Sequence, residues 1–233
     1  MAGQNHRPVV CEDWINFVPL MIDPLKHALR DVISGKSTVR CGATVQAVAG
    51  HLRTSAGAGA ETADRKQVKK QEGERIRAFA QRAGIWANEV DLSMYVSEGA
   101  EQKVYLRRND HVLKLNDAIY FETWTDYLHN LLIHNFLFSD TAYELVGFTD
   151  IEGTLHAMVQ QPFVRSTERT DLCAVCEFME RNGFKNTRNN DYHNPAAGVI
   201  LEDLHDENVL TQNGCLYFID TVFYLTKEFF EDR

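Results

Sequence analysis

Apolar residues recur at helical spacing in four stretches of the chain. Leu25, Ala28, Leu29, Val32 and Ile33 lie between Asp23-Pro24, a start signal, and Gly35, a stop. Ile76, Phe79, Ala80 and Ala83 give the charged run from Asp64 an apolar side ending at Gly84, while the charges of 64–77 read as a solvated face. Trp124, Tyr127, Leu128, Leu131, Leu132 and Asn135 trace one face of a long helix. A fourth helix is predicted near 168–182, with Leu172, Val175, Cys176 and Met179 on one side. Shorter apolar runs at 91–96, 102–106, 112–115, 143–149 and 155–164 read as strands, with turns at Asn109-Asp110 and Ile151-Glu152-Gly153. Residues 49–63, rich in Ala, Gly, Ser and Thr, read as a flexible connection, and 185–195 as a polar loop. The pattern predicts an α+β domain over 91–233, preceded by a helical extension over 1–90.

The chemistry concentrates near the end of the chain. Asp203 is followed five residues later by Asn208 and twelve beyond that by Asp220, at the end of an apolar run. Asn213-Gly214 separates the runs 208–210 and 215–219, which reads as a two-residue hairpin. Such a hairpin would bring Asn208 and Asp220 together at one end. Magnesium-dependent phosphoryl transfer needs this kit: one carboxylate to orient a hydroxyl, then an amide oxygen and a second carboxylate for the metal. Taken singly, Asp203 and Asn208 could instead cap a turn, and Asp220 could be an ordinary strand-end aspartate.

Bulk composition narrows the classes. The 233 residues are 44% hydrophobic and 24% charged, ordinary for a globular protein. A formal charge of −9 argues against nucleic acid held mainly through its phosphates. Without a long apolar run or an apolar leader, a cytoplasmic protein with no membrane partner is expected. Five cysteines, including the Cys173/Cys176 pair, read as reduced and mostly buried rather than as a zinc site. Cys11, Cys41, His6, His27 and His51 are scattered and suggest no metal site in the extension. There Trp14 and Phe17 would pack on the rest of the chain or on a partner.

With these motifs in order, the chain resembles a protein kinase. More closely, it is similar to the compact kinase-like domain of the polyvalent proteins of phages and mobile elements. The resemblance covers about 93–225 and implies a two-lobed fold with a truncated C-lobe, because only Thr221–Arg233 follows Asp220. It implies ATP and Mg2+ as cofactors and a hydroxyl on a protein or small molecule as acceptor. Asp203 would orient that hydroxyl, while Asn208 and Asp220 would ligate magnesium. Lys114 would neutralise phosphates, and backbone amides around Gly99 would cover them. Gln161 and Phe163, in the connector that starts at Gln160, would meet adenine. His205 stands where many kinases have a phosphate-contacting basic residue.

The chain also departs from the family pattern. Glu202 stands beside Asp203 where a histidine is common, and Val222 replaces the glycine of the metal motif. Asp126 and Glu122 both remain candidates for the acidic partner of Lys114, which taken alone would be a strand lysine facing solvent. The alternative function is a catalytically silent kinase-like module that binds nucleotide or a partner. A third reading makes 1–90 the functional part. The acceptor and the oligomeric state are not legible.

Overall fold

The computed structural model describes residues 22–55, 64–90, 95–98, 102–107 and 110–231. Gly99, Trp14, Phe17, Cys11 and His6 lie outside these residues. The chain forms two compact units, Asp31–Phe163 and a second made of residues 1–30 with 164–233.

The first unit is built on a five-stranded antiparallel sheet in the order β1-β2-β3-β5-β4. Its strands are Tyr95–Glu98 (β1), Gln102–Arg107 (β2), His111–Asn116 (β3), Glu144–Ile151 (β4) and Thr154–Pro162 (β5). β3 lies at the centre, hydrogen-bonded to both β2 and β5, and is buried along nearly its whole length. Leu113 and Leu115 pack with Tyr105 and Met158 on one face. Alternation along the strand turns Lys114 to the other face. The β4–β5 hairpin turns through Glu152 and Gly153, both at positive φ (53° and 83°), as a tight two-residue turn requires.

Four helices complete this unit or enter it: Ile22–Ser34 (α1), Ala43–Ser55 (α2), Arg65–Ala83 (α3) and Trp124–Leu137 (α4). Helix α2 corrects the reading of 49–63 as a flexible connection, since 49–55 is helical. Val45, Val48 and Leu52 are buried, and the Ala/Gly/Thr composition around them had masked the spacing. Gln46 and Arg53 of α2 donate to the carbonyls of Val32, Ile33 and Ser34, satisfying the last turn of α1. Helix α3 starts on an Asp64 cap and stops at Gly84 in the left-handed region.

The charged face of α3 is not wholly solvated, which corrects a second expectation. Glu72 is buried and accepts from the N–H of Trp124 (2.7 Å) and Thr125 (3.4 Å) and from Thr125 Oγ1 (2.6 Å). Lys69 donates to the carbonyls of Ala118 and Phe121 just before α4. Thus α3 supplies acceptors to an α4 N-terminus already closed by a Thr123–Asp126 capping box. Burial pushes the Glu72 carboxyl up, and its hydrogen bonds partly oppose this.

The second unit contains Leu172–Arg181 (α5) and a four-stranded antiparallel sheet in the order β11-β8-β7-β6. The strands are Lys185–Arg188 (β6), Asp191–Asn194 (β7), Val199–Glu202 (β8) and Val222–Leu225 (β11). Val209–Gln212 (β9) and Cys215–Phe218 (β10) form a separate hairpin, and Lys227–Phe230 (α6) follows β11. The polar segment 185–195 is therefore a hairpin rather than a loop, with Asn189 taking a positive φ of 51° at its turn. In α5, Val175 and Met179 are buried, but Leu172 is exposed. Cys41 and Cys173 are exposed, and Cys176 and Cys215 half-buried, so the expectation of buried cysteines fails for these four.

Helix α6 packs tightly against the chain before β8. A Cβ at Gly198 would collide with the Phe229 backbone. Lys26 of α1 donates to the carbonyls of Glu228 and Glu231, and Arg30 to that of Phe229.

Candidate active site

Two pairings in the second unit converge on one locus. β8 pairs with β11 so that Glu202 faces Val222, which places Asp203 and Thr221 just beyond the same end of that ladder. β9 pairs with β10 from Gln212↔Cys215 to Val209↔Phe218, around Asn213 and Gly214 at φ 52° and 78°. Beyond that ladder the Asn208 carbonyl accepts from the N–H of Ile219 (2.9 Å) and Asp220 (3.3 Å). The hairpin and the convergence of Asn208 and Asp220 are thus as the sequence suggests. The turn is also held from outside. Thr167 Oγ1 accepts from Asn213 N (2.8 Å), Glu168 Oε1 from Gly214 N (2.7 Å), and Thr170 Oγ1 donates to the Val209 carbonyl (2.7 Å).

The side chains of Asp203 and Asn208 meet directly. Asn208 Nδ2 donates to the Asp203 main-chain carbonyl (2.9 Å) and to its Oδ2 (3.0 Å). Both partners are pure acceptors, so the amide orientation is forced, and Oδ1 of Asn208 is the atom left for another ligand. Leu204 and Val209 are fully buried on either side of this turn, while the Asp203 side chain is 58% exposed. A carboxylate presented to solvent from an anchored turn suits a group that must receive a proton from an incoming molecule.

Around it, His205 Nδ1 accepts from Glu207 N (3.2 Å), and its Nε2 lies 3.4 Å from Asp203 Oδ1. His205 is therefore drawn toward the aspartate and its own turn. Glu202, next to Asp203, has its carboxyl raised by burial and by the nearby charges of Asp191 and Asp203, with Arg188 opposing.

Lys114 belongs to the first unit and is only 4% exposed, so the solvent-facing reading of this strand lysine is overturned. Its Nζ lies over the Tyr143 ring, 5.2 Å from the centroid. Tyr143 in turn packs on His134 of α4, with ring centroids 4.4 Å apart. His134 Nε2 lies 2.9 Å from the Thr141 carbonyl, which also accepts from Gln161 Nε2 (2.7 Å). Burial holds the His134 imidazole neutral, down to about 3, and the Lys114 charge works in the same direction. Asn135 locks the main chain of Tyr143 from both sides, accepting from its N–H and donating to its carbonyl.

The other sequence candidates fall as follows. Asp126 closes the α4 capping box, and Glu122 is exposed with a carboxylate 3.5 Å from Arg65. The Gln161 side chain is buried. Phe163 is 42% exposed and donates its N–H to Asp110 O (2.8 Å). Sequence reasoning missed Tyr143, His134, Glu72 and Asp191. The Asn189-Asn190 pair between two short polar runs was the available signal for the hairpin that carries Asp191.

The family model for the serine/threonine/tyrosine kinase found in polyvalent proteins matches residues 69–227. The chain belongs to this kinase family. The match begins at Lys69, inside α3, three residues before the glutamate that α3 gives to α4. No curated protein matches the chain. Among the described residues no helix is long and apolar enough to cross a membrane.

Proposed function

We propose that the chain is an ATP- and Mg2+-dependent phosphotransferase that moves the γ-phosphoryl group to a hydroxyl on a protein or a small molecule. The observation carrying this reading is the forced orientation of Asn208, whose side-chain amide protons go to Asp203 while its main-chain carbonyl accepts from the Asp220 N–H. In this reading the two units correspond to the small and large lobes of a kinase.

The residues fit magnesium. Among the described residues no group of three His, Cys, Asp or Glu is placed as a metal site. The cation would take Asn208 Oδ1 and an Asp220 oxygen from the chain and fill its remaining positions with phosphate and water oxygens, as this hard ion prefers. Bound magnesium supplies charge neutralisation on the phosphates. Asp203 receives the acceptor hydroxyl proton, and its own contacts hold it in place for that. Lys114, desolvated and fixed over Tyr143, neutralises phosphate charge. Amides near Gly99 cover the phosphates, and the backbone around Gln161 and Phe163 meets the adenine. Since phosphoryl transfer is mostly positioning and electrostatics, these few groups are a sufficient set.

The test is transfer from γ-labelled ATP to casein, to small polyol acceptors and to the chain itself, with Mg2+ present. Asp203→Ala and Asp220→Ala should each abolish the transfer. Full activity in both variants refutes the mechanism. Thermal stabilisation by ATP and Mg2+ without any turnover would favour the silent nucleotide-binding module instead.

A further inference from the structure

We propose that Asp191 is a positioning residue for Asp203, holding the backbone of that aspartate in the turn its role requires; this rests on the phosphotransferase reading above.

Asp203 has φ +69°, in the left-handed region. That conformation costs an ordinary L-residue about 1–2 kcal/mol, although aspartate tolerates it better than most. Such backbone persists where its surroundings over-determine it. Three contacts act on the Asp203 peptide groups. Its carbonyl accepts from Asn208 Nδ2 (2.9 Å) and from His205 N (3.0 Å), and its N–H donates to Asp191 Oδ1 (3.1 Å).

The β7–β8 register explains why a side chain fills the last role. Tyr192 faces Leu201 at the end of that ladder. Asp191 therefore stands where the strand partnership stops, one step before the left-handed turn. A carboxylate there continues the pairing that the main chain gives up. The next N–H, that of Leu204, goes to the Asn190 carbonyl (3.1 Å), so adjacent residues of one hairpin grip adjacent amides of the turn.

Asp191 is itself braced. Its Oδ2 lies 4.0 Å from Arg188 Nε, and its main-chain carbonyl accepts from Asn186 Nδ2 and Thr187 Oγ1. Asn208 also holds Asp203, but it doubles as a proposed metal ligand, so its loss would be ambiguous. Asp191 holds the turn through the Asp203 N–H alone.

The experiment uses the full chain with Asp191→Ala and Asp191→Asn. An asparagine oxygen can still accept from the Asp203 N–H, whereas alanine cannot. Asp191→Ala should lower kcat on the order of 10–100-fold with KM for ATP nearly unchanged, and Asp191→Asn should recover most of the rate. An equal kcat in wild type and Asp191→Ala overturns the proposal.

A second readout does not depend on turnover. The 15N–1H signal of Asp203 should move and gain a larger temperature coefficient in Asp191→Ala, and return toward its original position in Asp191→Asn. An unmoved Asp203 amide in Asp191→Ala overturns the proposal whether or not the wild type transfers phosphate. A wild type with no turnover but an Asp191-dependent Asp203 amide sinks the phosphotransferase reading and leaves the positioning role standing.

Discussion

The Lys114 ammonium sits over the Tyr143 ring, 5.2 Å from its centroid, with both residues almost wholly buried. A desolvated cation over an aromatic face gains about 2 kcal/mol. Tyr143→Leu removes the face and should weaken ATP binding roughly tenfold or more. Tyr143→Phe keeps the ring and should bind within about threefold of wild type, since the face and not the hydroxyl carries this contact. Titration with a fluorescent ATP analogue distinguishes the two, and equal affinities in Leu and Phe variants would remove the ring from the account.

The second expectation concerns α3 and α4. Glu72 accepts two main-chain N–H groups and one hydroxyl at the start of α4. Glu72→Ala leaves these buried donors without their acceptor and should cost roughly 2–3 kcal/mol in urea denaturation. Glu72→Gln retains one acceptor oxygen and should fall between. A loss below about 0.5 kcal/mol for alanine would mean that α3 does not support α4.

The hairpin turn gives a third. Gly214 has φ 78°, and a Cβ built there meets nothing within 4 Å. The cost of Gly214→Ala is therefore conformational, about 1–2 kcal/mol. Gly214→Asn should cost less, because asparagine visits this region more readily. Denaturant midpoints of the two variants test the order, and its inversion would point to a contact not accounted for.

Acid sensitivity supplies the fourth. His134 takes up a proton near pH 6.5 when unfolded but only near 3 when buried in the fold. Between these values the unfolded chain binds more protons, so stability must fall as pH drops. One such residue contributes up to about 1.4 kcal/mol per pH unit. His129, lowered by burial to about 4, works in the same direction. His134→Gln keeps a donor for Thr141 and should flatten the slope below about pH 6 relative to wild type. Parallel profiles of wild type and variant would show that His134 does not titrate in this way.

Much of this was legible along the chain. The stop at Gly84, the face of α4 and the Asn213-Gly214 hairpin follow from local periodicity and turn chemistry. So does the approach of Asn208 to Asp220. Other features depend on partners distant in sequence. Nothing near Glu72 announces that donors from residues 124–125 will surround it. Nothing near Lys114 announces a ring contributed from Tyr143. The polar run 185–195 carries no apolar alternation strong enough to mark strands, because β6 is exposed throughout and one of the two residues that β7 buries is the polar Asn194. Helix α2 was hidden for the opposite reason: its small residues look like a linker until Val45, Val48 and Leu52 find a surface to cover.

The contact of Lys26 with Glu228 spans 202 positions of sequence. The unit over Asp31–Phe163 is continuous and can close as soon as its own residues leave the ribosome. In the other, β6, β7 and β8 can pair early, but the α1 residues Lys26 and Arg30 must wait for residues 228–231. Loop closure over such a span slows assembly. During synthesis the stretch carrying Lys26 and Arg30 therefore waits longest for its partners, whereas the turn around Asp203, held from residues 190, 191, 205 and 208, can form earlier.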